Sequence, residues 1–232
     1  MKKQLLLIAV SILLLTACNK EKIEITDIDG NEYHGVTIGS QIWMTENLRT
    51  TRYADGSAIP NVEDNTAWSE LEVDDKAYCW YDNSSSEMEV YGGLYTWAAA
   101  VNGGSGSSSN PSGIQGVCPD GWHLPSEEEW KELVFHLDGY SEAGYFLKEE
   151  GNLHWGGGNW GASNLSGFTA LPGGRRDLDG TFDALTFGAY FWTSTEITES
   201  SAYRSALGTG SGDVNIGGAQ MNTGRSVRCV KD

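Results

Sequence analysis

Residues 118–130, CPDGWHLPSEEEW, constrain the fold more than any other stretch of the chain. Pro119-Asp120-Gly121 reads as a turn. Ser126 and Glu129 have the S-x-x-E spacing of a capping box, where a serine hydroxyl accepts from the amide three residues on and the glutamate reaches back. Such a cap stabilises a helix by about 1 kcal/mol. Glu127, Glu128 and Glu129 suit the positive end of a helix dipole. Trp130, Leu133, Val134 and Leu137 then recur at helical spacing, and Gly139 ends the run. The spacing predicts a helix that starts directly after a turn and a cysteine. Two uses of the stretch remain open at this level: a brace, or a site in which His123 and residues 127–129 act together.

What Cys118 can do depends on the compartment. Lys2 and Lys3 precede an apolar run from Leu5 to Leu15, and Leu15-Thr16-Ala17-Cys18 resembles the lipobox of bacterial lipoproteins. Residues 1–17 are therefore read as a signal peptide cut before Cys18, whose thiol is the expected site of acylation, palmitate included. Each buried acyl methylene contributes roughly 0.8 kcal/mol, so several chains hold a protein on a bilayer stably. Asn19, where an aspartate favours inner-membrane retention, and Lys20-Glu21 point to the outer membrane, facing outward. Residues 18–26 then form a lipidated tether and residues 27–232 one domain. Export lets disulfides persist. Cys79, Cys118 and Cys229 allow one bridge and one spare thiol, and the residues alone leave the pair undetermined.

The 232 residues are 39% hydrophobic, enough for one sizeable core, and 30 glycines against five prolines imply many turns. With 32 acids against 15 bases, a net charge of −17, nucleic acid is excluded as a partner. Nine tryptophans and ten tyrosines in an acidic, exported chain suit a carbohydrate binder. Val36-Thr37-Ile38 and Gln41–Met44 flank Gly39-Ser40, a hairpin turn with glycine leading. In YGGLYTWAAAV, Leu94, Trp97, Ala98 and Val101 fall on one helical face. Residues 102–113, NGGSGSSSNPSG, read as a long surface loop. Phe168–Leu171, Tyr190–Thr195, Ala202–Leu207, Val214–Ile216 and Ser226–Lys231 read as strands, with Asp179-Gly180 as a turn. Two early helices and a late antiparallel sheet imply an α+β fold.

Seven stretches, in order, carry a family resemblance: DIDGNEYHGVTIGSQIWMTENLRT, YCWYDN, YGGLYTWAAAV, GVCPDGWHLPSEEEW, SGFTALPGGRRDLDGTF, YFWTSTE and GRSVRCVKD. Together they resemble the Fibrobacter succinogenes major paralogous domain, found in many lipoproteins of Fibrobacter and Bacteroidetes species, from about residue 27 to the end. The resemblance implies a C-type lectin-like architecture: two helices and a small antiparallel sheet with long glycine-rich loops, its first and last strands paired. It also implies a Cys118–Cys229 bridge, because lectin-like folds tie a cysteine near a helix to one on the last strand. Cys79 is then a buried spare, with Cys79–Cys118 the competing pair. On this reading the opening stretch is a brace. Formylglycine-generating enzymes share the lectin-like fold and use a cysteine pair; Cys229 stands where such chemistry would need a free thiol.

Catalytic motifs are scarce. There is no G-x-S-x-G elbow and no H-E-x-x-H, and His34, His123, His136 and His154 lack zinc spacing, so no cofactor or metal is expected. Residues 156–161 match G-x-G-x-x-G without a strand before or a helix after. Asp27, Asp29 and Asn31, and likewise Asp177, Asp179 and Asp183, alternate as calcium ligands do, but their glycine comes at position four, not six, so both read as turns. The E-P-N, Q-P-D and W-N-D motifs of calcium-dependent lectins are absent. The remaining candidate is HWGGGNWGASN, residues 154–164: Trp155 and Trp160 as stacking rings, Asn159 and Asn164 as hydroxyl partners, Arg175 alongside. The competing reading folds both tryptophans inward. The functional expectation is a non-catalytic binding module for a glycan or an envelope protein, held to the membrane through Cys18. The alternatives are an assembly component of the envelope and, behind it, a formylglycine-generating-like enzyme.

Overall fold

The structure, a computed structural model, describes residues 23–232; Cys18 and the signal segment lie outside the described residues. The strands are β1 (Ile23–Thr26), β2 (Glu32–Ile38), β3 (Gln41–Met44), β4 (Tyr78–Trp80), β5 (Gly93–Tyr95), β6 (Trp122–His123), β7 (Gly173–Arg176), β8 (Phe182–Leu185), β9 (Gly188–Thr198), β10 (Ser201–Gly208), β11 (Val214–Gln220) and β12 (Val230–Lys231). The helices are α1 (Asn65–Ser69), α2 (Ser85–Tyr91), α3 (Trp97–Ala100), α4 (Glu127–His136) and α5 (Ala143–Leu147). One sheet has the order β1-β2-β3-β12-β6, a second β11-β10-β9, and β4-β5 and β7-β8 form two ribbons.

This mostly β architecture overturns the expected α+β, C-type lectin-like fold of two helices and one small sheet. Among the described residues, twelve strands lie in four sheets, and of the helices only α4, at ten residues, exceeds seven. The last strand pairs with β3 and β6, not with the first strand. Ile23–Thr26, assigned to the tether on sequence, forms β1 and pairs with β2. The helix expected from YGGLYTWAAAV shrinks to the four residues of α3. Tyr95 instead exchanges backbone hydrogen bonds with Arg225 at 2.8 and 3.0 Å, so the chain stays extended until Thr96, whose hydroxyl caps α3 by accepting from Ala99.

Where local signals agree with tertiary pairing, the expectations hold. β2 and β3 form the hairpin around Gly39, which has φ 61°. α4 begins with both halves of the capping box, Ser126 with Glu129. Asp179-Gly180 lies in the β7–β8 turn. Residues 102–113 form a loop inside the domain, stitched down by Ser107 to the Ser194 carbonyl and by Asn110 to Glu132.

Two cores flank the central strands. Alternation along a strand sends neighbours to opposite faces. Thus Met44, Trp192 and Cys229 enter a core with Tyr33, Tyr95 and Trp97, while Trp43, Phe191 and Val230 enter one with Trp130 and Phe168. β3, the stretch of β9 around Phe191 and Trp192, and the chain at Cys229 and Val230 are therefore buried on both faces. Phe168–Leu171 and residues 226–229, both expected as strands, join no ladder. Arg228 replaces one: its guanidinium donates to the carbonyls of Met44, Phe168 and Thr169 and to Asn47, at 2.6 to 3.2 Å.

Cys118 and Cys229 are bridged, 111 residues apart, and Cys79 is the buried free cysteine. Closing a loop of that length restricts the unfolded chain. The pair Cys118→Ser and Cys229→Ser is expected to lower unfolding free energy by about 2–5 kcal/mol. Denaturant titration measures it, and a loss well under 1 kcal/mol would show that the bridge holds little.

Candidate ligand-binding site

The stretch that opens α4 is a junction. His123 on β6 is buried between two carboxylates: Nε2 lies 2.6 Å from Glu129 Oε1, and Nδ1 lies 2.7 Å from Asp232 Oδ1. The other oxygen of Glu129 accepts the amides of Ser126 and Ser112 at 2.8 and 3.0 Å. One carboxylate thus joins the helix cap, the 102–113 loop and the five-stranded sheet. The site imagined from His123 and residues 127–129 is built only in part: Glu127 and Glu128 point to Lys131 instead. Burial alone would lower the His123 pKa, but the hydrogen bonds and charges of Glu129 and Asp232 outweigh it and raise the pKa above its ordinary value.

The cysteines hold no reactive thiol among the described residues. Cys229 is in the bridge, and burial pushes the Cys79 thiol up to about 12, leaving it protonated. Nor do three His, Cys, Asp or Glu side chains converge on a metal position among the described residues. Asp27 accepts the Asp29 and Asn31 amides and the Tyr33 hydroxyl, and Asp29 accepts from Thr50 and Thr51. Asp179 accepts from Thr181, while Asp177 and Asp183 pair with Arg175. The 177–183 carboxylates are thus taken up around their own turn, and the 27–31 carboxylates by their turn and by residues 50–52.

The 154–164 loop divides its side chains between wall and surface. Trp155 is 1% exposed; its indole N–H donates to the Ala170 carbonyl, and its ring faces the Lys148 ammonium. Lys148 is itself buried, donating to the Gly208 and Ser211 carbonyls, and burial pushes its pKa down to about 8. Asn159 is buried and ties the loop to itself, donating to the Glu149 and Gly151 carbonyls. Asn164, at φ 49°, is locked to Thr169 in both directions. Trp155, Asn159 and Asn164 therefore build the loop and are turned away from any ligand. Arg175 sits on β7 with its guanidinium shared among Asp177, Asp183 and the Tyr190 hydroxyl.

Trp160 is the exception, 79% exposed. Its indole lies against Gly158, where an added Cβ would come within 2.8 Å of Nε1. Phe187, 53% exposed, lies against the adjoining Gly157, whose Cβ would stand 3.3 Å from the ring. Gly157 and Gly158 have φ of 70° and 100°, and any side chain there would displace a ring. The backbone beneath is fixed: the Gly156 amide donates to Thr186, the Thr209 hydroxyl reaches the Gly156 and Gly158 carbonyls at 2.6 and 2.8 Å, and the Thr209 amide donates to Phe187. Two exposed rings are thus carried on one rigid diglycine shelf. Phe187 is the partner that the sequence reading did not name; its only signal was a bulky apolar residue set between Thr186 and Gly188 in a turn.

The His123 brace gives a pH test. A folded-state pKa above the unfolded value of about 6.5 means the brace stabilises fully below that pH and is lost as pH rises through the folded value. Unfolding free energy should therefore decline across that alkaline window in the wild type, and His123→Gln should flatten the decline while lowering stability at pH 6. An equal slope in both proteins would remove His123 as its source.

A family model described as Fibrobacter succinogenes major domain matches residues 36–231. No curated protein and no solved structure matches the chain.

Proposed function

The chain belongs to the Fibrobacter succinogenes major domain family, and from that premise we propose a lipid-anchored, outward-facing binding module of the outer membrane that takes a glycan and performs no chemistry on it. The family description carries no activity, so the reading rests on the residues. The single observation behind it is the Trp160–Phe187 shelf: two rings exposed to water, seated on glycine backbone that is hydrogen-bonded in place. An exposed indole on a rigid base costs little ordering entropy on binding and offers an apolar face to sugar C–H groups. The lipobox-like segment ending at Cys18 supports the anchor. No helix among the described residues is long and apolar enough to cross a membrane.

Two experiments test the two halves. Cys18→Ser should abolish incorporation of labelled palmitate; labelling that persists in the variant rejects the anchor. A glycan array probed with the mature chain should give binding that Trp160→Ala weakens by about tenfold or more, equal to about 1.4 kcal/mol. The melting temperature should stay put, because the ring is exposed. Binding untouched in both Trp160→Ala and Phe187→Ala rejects the shelf. Concentration-dependent self-association lost in the same variants would mark it as an assembly contact instead.

A further inference from the structure

The face of β9 that carries Tyr190 and Trp192 gathers positive charge in a chain of net charge −17. Arg225, 7% exposed, lies over both rings, 5.4 Å from the Tyr190 centroid and 5.2 Å from that of Trp192. Its Nε and Nη1 are buried and have no hydrogen-bond partner among the described residues. Two other buried arginines show what the fold does with a guanidinium that serves structure alone. Arg176 donates to the Gly180, Val62 and Glu63 carbonyls and to Asn65, and Arg228 is saturated in the same way. Arg225 is also buried, yet its Nε and Nη1 are left unpartnered.

Its surroundings sharpen the contrast. Arg204 stands opposite Trp192 in the β9–β10 register, so it shares the face of Tyr190 and Trp192. Its Nη1 donates to the Asn215 carbonyl and Oδ1, neither of them charged. Arg175 holds the Tyr190 hydroxyl at 3.0 Å, its own charge met by Asp177 and Asp183. Burial, then the charges of Arg204 and Arg175, push the Arg225 pKa down. A buried cation with vacant donors beside a second cation is unfavourable in isolation and is relieved by an oxyanion, which guanidinium binds in a two-pronged fashion.

We propose that Arg225, Arg204 and Tyr190 form a receptor for the carboxylate or sulfate group of an acidic sugar. Arg225 is its floor, Arg204 and the half-exposed Tyr190 form its mouth, and Arg175 holds Tyr190 from the side. The sugar in this statement rests on the glycan reading above; the oxyanion does not.

Thermal melting and calorimetric titration of the mature chain in low-chloride buffer, with sodium sulfate, glucuronic acid and glucose as probes, test it. Sulfate and glucuronic acid are expected to raise the melting temperature and to bind, with glucose about tenfold weaker or more. Arg225→Met should erase that response without lowering the melting temperature of the ligand-free protein, because it deletes an unsatisfied buried charge. Arg204→Gln, at a partly exposed position that leaves the fold intact, should weaken it by about tenfold. A wild type indifferent to both anions, or an undiminished response in both variants, overturns the receptor, whatever neutral sugars do at Trp160. A sulfate response that disappears in the variants while no glycan binds would uphold the oxyanion receptor and remove only the glycan reading.

Discussion

The C-terminal segment, residues 224–230, is buried among partners from nearly every layer, and the structure depends on that burial. Arg225 pairs with Tyr95, Ser226 with β9, and the Val227 carbonyl accepts from Leu48. Arg228 fills the acceptors of two segments, Cys229 is bridged to Cys118, Val230 lies between β3 and β6, and Asp232 reaches His123. Each of these groups is expensive to leave unpaired away from water. The segment is short of regular strand because its partners differ from residue to residue. It is held by a sequence of specific bonds where a sheet would use a uniform ladder.

That arrangement separates framework from surface. Trp155, Asn159 and Asn164 are spent fastening the 154–164 loop to residues 149–151 and 169–170, and Thr209 and Thr186 fix its glycines, so Trp160 and Phe187 are carried outward on an immobile base. The buried arginines divide the same way. Arg176 and Arg228 are fastened by carbonyls, whereas Arg225 keeps vacant donors beneath a partly exposed tyrosine. The exposed rings are the basis of the proposed glycan reading, and the unmet positive charge is the basis of the proposed oxyanion receptor. The net charge of the chain is negative, and Arg175, Arg204 and Arg225 form a local cluster of the opposite sign.

Parts of this were legible in the residues. The α4 cap, the Gly39 hairpin and the Asp179-Gly180 turn depend on contacts within a few positions, and local chemistry decided them. The bridge was expected from the family resemblance, since three cysteines do not reveal their own pairing. The lectin-like, two-helix architecture was not borne out, because the apparent helical face around Leu94 and Trp97 is claimed by a backbone pairing to Arg225, 130 positions away from Tyr95. Phe168–Leu171 looked like a strand for its apolar content, yet its carbonyls go to Arg228, a partner no local pattern announces. Of the two candidate tryptophans, Trp160 is open and Trp155 buried; which of two tryptophans five positions apart faces water is decided by what packs beneath them.

By itself the sequence determined where turns fall, where the longest helix starts, that the chain is acidic and aromatic-rich, and that it belongs with the seven-stretch family pattern. These follow from short-range sterics, capping and composition. Tertiary structure alone decided which strands are buried on both faces, which arginines are satisfied and which is not, and which rings remain exposed. Burial and hydrogen-bond satisfaction are properties of groups brought together from distant positions, and no single residue or neighbouring pair carries them.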